Sequence, residues 1–401
     1  MTQVEKQRIV VIDILRGIAM VVMALDHTRD FFHADVLFHD PLDPATTHPA
    51  LYLTRWITHF CAPTFVFLSG TSIYLQSLRK TSSSLSVFLF TRGLWLIFAE
   101  ITLVTFALTF NPLFNFLGLQ VIWAIGFSMI VLGFFILLRA PYWVYLAIGS
   151  IIVFGHNAFD SLELQPDFSP SLFWKIMHLG FVIHPISESF SIFFIYPAPV
   201  WAGVMLLGYA AGKLFDSPNN ATSRTRFFSI AGTVLLLFFL VLRATNFYGN
   251  PQPWVIGDSV AQTLYSFFNV NKYPPSLLYL SATLGGLFLA LSAIERFQQS
   301  LLPYLTPFET FGRTAFFYYL IHFYVIHLLS AAAFFLQGHT LQESIELAPK
   351  TFFLLTTTPY GFSLGVVYLV WMAVVAGLYP LCKRYDAYKT SHREKVWLSY
   401  L

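Results

Sequence analysis

Long apolar runs separated by short polar segments make up most of this chain of 401 residues. A helix needs about 20 residues to cross the hydrocarbon core of a bilayer. Ten runs reach or approach this length, and each predicts a membrane-spanning helix. They lie near residues 9–32, 56–78, 87–110, 117–138, 141–157, 197–215, 227–245, 277–294, 314–336 and 361–382. The aromatic stretch 172–195 predicts an interfacial or re-entrant element, so eleven spans is the alternative count.

The composition agrees with an all-α polytopic membrane protein. Charged residues make up 11% of the chain and hydrophobic residues 56%, whereas soluble domains carry about 25% charge. No soluble domain interrupts the plan, so residues 1–401 are expected to form a single membrane-embedded domain in the lipid bilayer. No basic tract suits nucleic acid. No metal is expected either, because the His and Cys spacings match no familiar ligand motif.

Basic residues are distributed asymmetrically between the two sets of connecting segments. With a cytosolic N-terminus, the inner segments hold 16 of the 23 Lys and Arg residues, the outer segments hold six, and Arg16 lies within the membrane. The positive-inside rule favours this orientation, so both termini are predicted to be cytosolic. The outer loops 158–196 and 246–276 are rich in Pro and aromatic residues, and we expect them to pack over the outer end of the bundle.

The first span carries charges that lipid tails would not accommodate. At about 100° per residue, Arg16, His27 and Asp30 fall within roughly 40° of one another, and Asp13 lies about 60° from Arg16. Such a stripe is costly unless it faces a protein interior or a watery cavity. His27 is expected near the outer face, where Asp26 could orient and charge its imidazole as a general base requires. A helix end with solvated charges is the alternative interpretation.

Further polar residues are expected at a similar depth. Arg55 and His59 lie one helical turn apart at the start of the second span and share a face. Lys272 stands just before a Pro-Pro pair and suits an anion or a carbonyl contact, although snorkelling to the interface explains it equally well. His322 lies on an apolar helix, where a hydrogen-bonded core histidine is the commoner role.

Three segments resemble the bacterial relatives of heparan-α-glucosaminide N-acetyltransferase, within the wider group of transmembrane acyltransferases. They are residues 12–20 with Asp26-His27, residues 55–71 and residues 271–276. The stretch that contains Gly312-Arg313 and residues 317–322 is similar to that family's late signature. The resemblance extends from residue 8 to about residue 385.

The resemblance implies an enzyme of the bacterial cytoplasmic (inner) membrane that takes an acyl group from cytosolic acyl-CoA. The acceptor would be an amine or a hydroxyl of a sugar or glycan on the outer side, and a homodimer is left open. The resemblance also adds His48, which lies fifteen residues before Pro63, close to the position of the family's catalytic histidine. The resemblance also pairs Asp26 with an asparagine at the outer end of the first helix of the family's lysosomal enzyme. His27 and His59 are departures from that enzyme, so the acceptor need not be glucosamine.

Residues and resemblance together predict a division of roles. The catalytic candidates are His27, Asp26, His59 and His48: an imidazole would deprotonate the acceptor, and Asp26 would hold its tautomer. The residues expected to bind the acyl-CoA co-substrate, acetyl-CoA or a relative, are Asp13, Arg16, Arg55, Lys272, Arg313 and His322. Arg16 would contact the CoA phosphate or pantetheine arm, and Arg55 or Lys272 would stabilise the oxyanion. The alternative function is a multi-pass transporter of a small anionic or sugar-like solute, although the sequence lacks evident repeats and paired broken helices.

Overall fold

The computed structural model describes residues 9–34, 39–216, 221–351, 353–357 and 360–400, and most of them are helical. The first nine α-helices are α1 (Val10–Phe32), α2 (Pro49–Ile57), α3 (Cys61–Ser77), α4 (Ser82–Ala99), α5 (Thr105–Thr109), α6 (Val121–Leu137), α7 (Tyr142–Gly155), α8 (Asp160–Glu163) and α9 (Leu172–Met177). The others are α10 (Ala198–Ala211), α11 (Ala221–Thr245), α12 (Val260–Phe268), α13 (Leu277–Arg296), α14 (Gln298–Arg313), α15 (Ala315–Leu336), α16 (Leu341–Thr351) and α17 (Leu364–Ser391). Turns of 3₁₀ helix cover Thr58–Phe60, His156–Phe159, Gly212–Phe215 and Val396–Ser399, and a π-helical turn covers Glu100–Val104.

Seven helices within the described ranges are long and apolar enough to cross a membrane. They cover Ser82–Thr109, Tyr142–Glu163, Ala198–Phe215, Ala221–Thr245, Leu277–Arg296, Ala315–Leu336 and Leu364–Ser391, and α6 is a shorter apolar helix. The chain is therefore a mostly helical, multi-pass membrane protein. Each of the ten predicted spans contains a helix, but the count of ten stays a prediction. We call the end of the bundle with Phe32 the outer end and the end with Val10 the inner end, following the predicted orientation.

A small sheet interrupts the helical plan. Its strands are β1 (Phe116–Leu119), β2 (Val182–Ser187) and β3 (Phe190–Phe194), in the order β1-β3-β2. β1 runs parallel to β3 with Leu117 opposite Ile192, and β2 runs antiparallel to β3 with Ile183 opposite Phe193. The all-α prediction holds for the bundle and misses this sheet. The stretch 172–195 forms α9 and this hairpin, so it supplies no eleventh helical span.

Helix α1 lies at the centre of the bundle, where it packs against α3, α13, α14, α15 and α17. Its contact with α14 is especially close. A Cβ atom built on Gly17 would lie 1.7 Å from the Phe308 carbonyl oxygen, and one built on Gly312 would lie 1.8 Å from the Asp13 carbonyl oxygen. Only glycine allows the two backbones to approach this closely. The contact fixes α14 against the inner half of α1.

Two further hydrogen bonds attach neighbouring helices to the backbone of α1. The Ser330 hydroxyl of α15 donates to the Phe31 carbonyl oxygen at 3.1 Å, and the indole Nε1 of Trp371 on α17 donates to the Val21 carbonyl oxygen at 2.8 Å. α15 therefore reaches α1 near its outer end and α17 reaches it near the middle. This arrangement brings side chains of α15 beside His27.

Candidate active site

A buried carboxylate at the outer end of α1 binds three cations. Asp26 accepts from Arg55 Nη1 at 2.9 and 3.0 Å. Its oxygens lie 2.7 Å from Arg29 Nη2 and 3.7 Å from Lys272 Nζ, and Oδ1 accepts a further hydrogen bond from the Thr58 hydroxyl at 3.0 Å. Asp26 is only 8% exposed, so these contacts stand in place of water.

Four parts of the chain assemble this site. Arg29 follows Asp26 by one turn of α1, Arg55 lies near the end of α2, and Thr58 begins the 3₁₀ turn that leads into α3. Lys272 lies just before α13, a helix whose first turn is capped by the Ser276 hydroxyl. We call Asp26, Arg29, Asp30, Arg55, Thr58 and Lys272 the Asp26 cluster.

The Asp26 cluster carries an excess of positive charge. It holds three cations and two carboxylates, since Arg29 Nη2 also donates to Asp30 at 2.7 Å. Arg29 is 3% exposed, and its Nε and Nη1 groups find no acceptor among the described residues. Buried donors are normally satisfied. The spare donors and the net charge suit an anionic or carbonyl oxygen of a bound molecule.

The His27 imidazole lies beside two aromatic side chains of α15. Its ring centroid is 4.1 Å from that of Phe323 and 5.3 Å from that of His322. His322 is fully buried, and its Nδ1 lies 2.9 Å from the Tyr318 carbonyl oxygen. Because a carbonyl only accepts, we assign the proton to Nδ1, which leaves a lone pair on Nε2. Two imidazoles therefore meet next to the Asp26 cluster, and His27 is only half-buried.

His59 takes the same tautomer in a closed environment. Its Nδ1 lies 3.0 Å from the Arg55 carbonyl oxygen, and its Nε2 is buried without a partner in the described ranges. The Tyr279 hydroxyl donates to the His59 carbonyl oxygen at 2.8 Å. His59 is 1% exposed. It thus joins α2, the 3₁₀ turn and α13, and it is less accessible to a substrate than His27.

His48 lies apart from the Asp26 cluster. It precedes α2, and its Nδ1 accepts from the Leu51 backbone N–H at 3.4 Å, which caps the helix. The side chain is exposed and lines an outer cavity of about 300 Å³ together with His33, His39 and Asp40. Despite this grouping, no cluster of His, Cys, Asp and Glu in the described part of the chain has metal-site geometry.

The predicted acyl-CoA ligands are divided between the two ends of the bundle. Arg55 and Lys272 belong to the Asp26 cluster, and His322 stands beside His27. Asp13 and Arg16 lie on the inner half of α1, where Arg16 Nη2 donates to the Leu68 carbonyl oxygen and the Ser72 hydroxyl, both at 2.9 Å. These six residues do not form a single site.

Arg313 lies at the inner end as well, next to Gly312, which packs against Asp13, and it has partners of its own. Its Nε lies 3.0 Å from an Asp386 oxygen and its Nη1 lies 3.8 Å from a Glu309 oxygen. A third contact runs from Nη2 to the Thr390 hydroxyl at 3.1 Å. Arg313 therefore connects α14 with α17, and its described partners explain its charge without a ligand.

Two members of the site, Arg29 and Thr58, are not among the residues to which the sequence assigns a role. Arg29 is one of the six cations that the predicted topology places in the outer segments. The spacing of Arg29 from Asp26 was an available signal, because residues three apart on a helix are neighbours. The expected bond between Asp26 and an imidazole is not among the described contacts, in which the carboxylate is bonded by cations and Thr58.

The sequence matches the model of one known protein family over a region that contains most of the site. A family model described as the catalytic region of heparan-alpha-glucosaminide N-acetyltransferase matches residues 8–244, more than half of the chain. The matched region contains Asp26, His27, Arg55 and His59 but not Lys272. Comparison with curated proteins finds no match. The resemblance predicted from the sequence is confirmed over residues 8–244, whereas residues 271–276, Gly312-Arg313 and residues 317–322 lie outside the matched region and stay a prediction. The chain belongs to the heparan-alpha-glucosaminide N-acetyltransferase catalytic family and is a membrane enzyme of the acyltransferase type.

Proposed function

We propose that the protein moves an acyl group from cytosolic acyl-CoA to an amine or hydroxyl of a sugar on the outer side of the membrane. The observation that carries this proposal is the Asp26 cluster, which is net positive, buried and adjacent to the His27 imidazole. Acyl transfer needs a base for the acceptor and donors for the oxyanion. This arrangement supplies both at one end of the bundle.

The reaction would proceed by direct attack. The acceptor nitrogen or oxygen forms a bond to the thioester carbonyl carbon while its proton moves to the lone pair of His27. The oxyanion that develops on the carbonyl oxygen is held by Arg29 and Lys272, whose charges exceed what Asp26 and Asp30 neutralise. As the intermediate collapses, the carbon–sulfur bond breaks and the proton passes from His27 to the departing CoA sulfur. A neutral imidazole is suited to both proton transfers.

His27 is preferred to the other two imidazoles because of its accessibility and its neighbours. His59 is almost completely buried, and its Nδ1 is engaged with the Arg55 carbonyl oxygen. His48 is exposed and caps α2. His27 combines partial exposure with proximity to Asp26 on the same helix. His322, which stands beside it, is expected to position the His27 ring.

Replacement of His27 tests this assignment. His27→Ala should lower turnover by about 10²–10⁴-fold, the usual contribution of a general base. Donor affinity should change little, because the base acts on the acceptor. Turnover is measured as thiol release from acetyl-CoA by the purified protein with a glucosamine glycoside as acceptor. His48→Ala and His59→Ala are the matched comparisons. Near-native turnover in His27→Ala would reject His27, and near-native turnover in all three variants would reject the imidazole mechanism.

The sidedness of the reaction rests on the distribution of basic residues, and it predicts the location of two loops. Reporter fusions at Asn250 and at Asn219, which lies outside the described residues, should report outer and cytosolic positions respectively. The same location for both would refute the orientation. Sealed proteoliposomes provide the functional counterpart. Uptake of solute without release of thiol would instead favour the transporter.

A further inference from the structure

A second cavity lies at the inner end of the bundle. It has a volume of about 450 Å³, which is within the usual range for small-molecule sites. Residues of α3, α4, α6, α7 and the end of α10 line it, and three of the lining residues are cations: Lys80, Arg139 and Lys213. None of them belongs to the Asp26 cluster. The cavity is therefore separate from the site described above.

Arg139 occupies a backbone position that favours glycine. Its φ angle is 52°, and it ends α6 with two characteristic hydrogen bonds. The Arg139 N–H bonds to the Ile136 carbonyl oxygen, and the Ala140 N–H bonds to the Phe135 carbonyl oxygen, both at 3.0 Å. Such a helix end usually carries glycine, which adopts this conformation without steric cost. An arginine here works against the backbone preference, and its side chain lines the cavity.

The other groups around the cavity suit a phosphate ester. Lys213 Nζ lies 4.7 Å from the centroid of the Tyr142 ring, and the rings of Tyr145 and Tyr209, both buried, stand 4.7 Å apart. Asp216 contributes one carboxylate nearby, through its interaction with Tyr74. Among the described residues, three cations against one carboxylate leave a net positive charge. Lysine and arginine bind phosphate strongly, and tyrosine rings can pack against an organic group.

We propose that this cavity binds the phosphate groups of a phosphate ester. Two sources share this chemistry: the nucleotide end of acyl-CoA, which rests on the proposed function, and a phospholipid headgroup. If the nucleotide end of acyl-CoA binds here, its phosphate groups are not held by Arg16, whose Nη2 is bonded to α3. They lie instead on the opposite side of α3. Tyr74 lines the cavity and lies about 24 Å along the helical path from Thr58 of the Asp26 cluster, at 1.5 Å per residue.

Arg139→Gly is the decisive variant, because glycine suits the backbone at this position. The purified full-length protein in neutral detergent is titrated calorimetrically with adenosine 3′,5′-bisphosphate. We expect Arg139→Gly to weaken binding about tenfold or more, the usual consequence of losing a charge-assisted hydrogen bond. Thermal stability should not fall. Arg139→Lys should retain most of the affinity, and Arg226→Gln, which removes an exposed cation outside the cavity, should leave it unchanged.

A second titration uses short-chain phosphatidylglycerol. If Arg139→Gly weakens binding of the bisphosphate, the result supports the nucleotide end of acyl-CoA as the ligand. If Arg139→Gly weakens binding of phosphatidylglycerol alone, the result supports a phospholipid headgroup. The proposal is overturned if neither probe binds the wild-type protein, or if Arg139→Gly and Lys213→Gln bind as well as it does. Thiol release from acetyl-CoA is measured on the same preparation. Bisphosphate binding without acyl transfer would reject the proposed transferase function and support the proposed phosphate site. Acyl transfer without binding of either probe would support the function and reject the phosphate site.

Discussion

Neutralisation of Asp26 is the sharpest test of the charge arrangement at the outer end. Asp26→Asn keeps the shape and one oxygen acceptor but removes the charge that three cations share. Arg55 would lose a carboxylate that it contacts at 2.9 and 3.0 Å, and Arg29 one at 2.7 Å. The cluster would change from one excess positive charge to two. We therefore expect the variant to be less stable than the wild-type protein.

The magnitude follows from burial. The Asp26 side chain is 12% exposed and that of Arg29 is 3% exposed, so water cannot replace the lost contacts. Removal of one partner of a buried ion pair costs about 3–5 kcal/mol. The remaining amide oxygen still accepts from Thr58 or Arg55, so we expect the lower end of that range, about 3 kcal/mol. Asp30→Asn is the control: its side chain is 40% exposed, and the expected loss is within about 1 kcal/mol.

Unfolding in mixed micelles, followed by the fluorescence of the nine tryptophans, measures these differences. A double variant with Asp26→Asn and Lys272→Met removes one cation as well and restores the original net charge. It should recover at least about 1 kcal/mol relative to the sum of the single changes, as expected for interacting neighbours. Simple additivity, or a single Asp26→Asn variant as stable as the Asp30→Asn control, would refute the electrostatic account of the cluster.

Two further predictions concern packing and pH. Gly17→Ala should destabilise the bundle by about 1–3 kcal/mol, because its Cβ would lie 1.7 Å from the Phe308 carbonyl oxygen; Gly155→Ala, with nothing within 4 Å, should unfold like the wild type. Burial alone would lower the pKa of His178, but the hydrogen bond and charge of Glu163 outweigh it and raise the pKa above its usual value. The charged pair should therefore contribute about 1–2 kcal/mol below pH 6.5 and lose it as pH rises through the raised pKa. Unfolding of wild type and His178→Gln between about pH 5 and pH 9 checks this, and a constant difference would contradict it.

The sequence predicted most helices because lipid imposes a simple rule of length and hydrophobicity. The expected spans 277–294 and 314–336 correspond to helices Leu277–Arg296 and Ala315–Leu336. The rule gives no signal for α14, which contains Pro303 and Pro307 and is not continuously apolar. It also gives none for the small sheet, which combines the short hairpin of β2 and β3 with a long-range pairing between β1 and β3.

The candidate site was predictable only in part. The charged stripe on the first span correctly indicated that α1 faces the protein interior, and both Arg16 and His27 contact neighbouring helices. Arg16 contacts α3 and His27 contacts α15, but the individual residues that they contact could not be read from the sequence. Likewise the proximity of Lys272 to Asp26 depends on how α13 packs against α1. Long-range pairing of this kind leaves no periodic signal in a single sequence.

Helix α3 connects the two proposed sites, and its packing determines whether they can act on one molecule. On one side, Arg16 bridges the Leu68 carbonyl oxygen and the Ser72 hydroxyl. On the other, a Cβ atom on Gly70 would lie 2.1 Å from the Met205 carbonyl oxygen of α10, so the two backbones are in direct contact. A helix held on both faces in this way cannot slide or rotate without breaking buried contacts. The separation between the inner cavity and the Asp26 cluster is therefore fixed by the fold, and the length of the donor would have to match it.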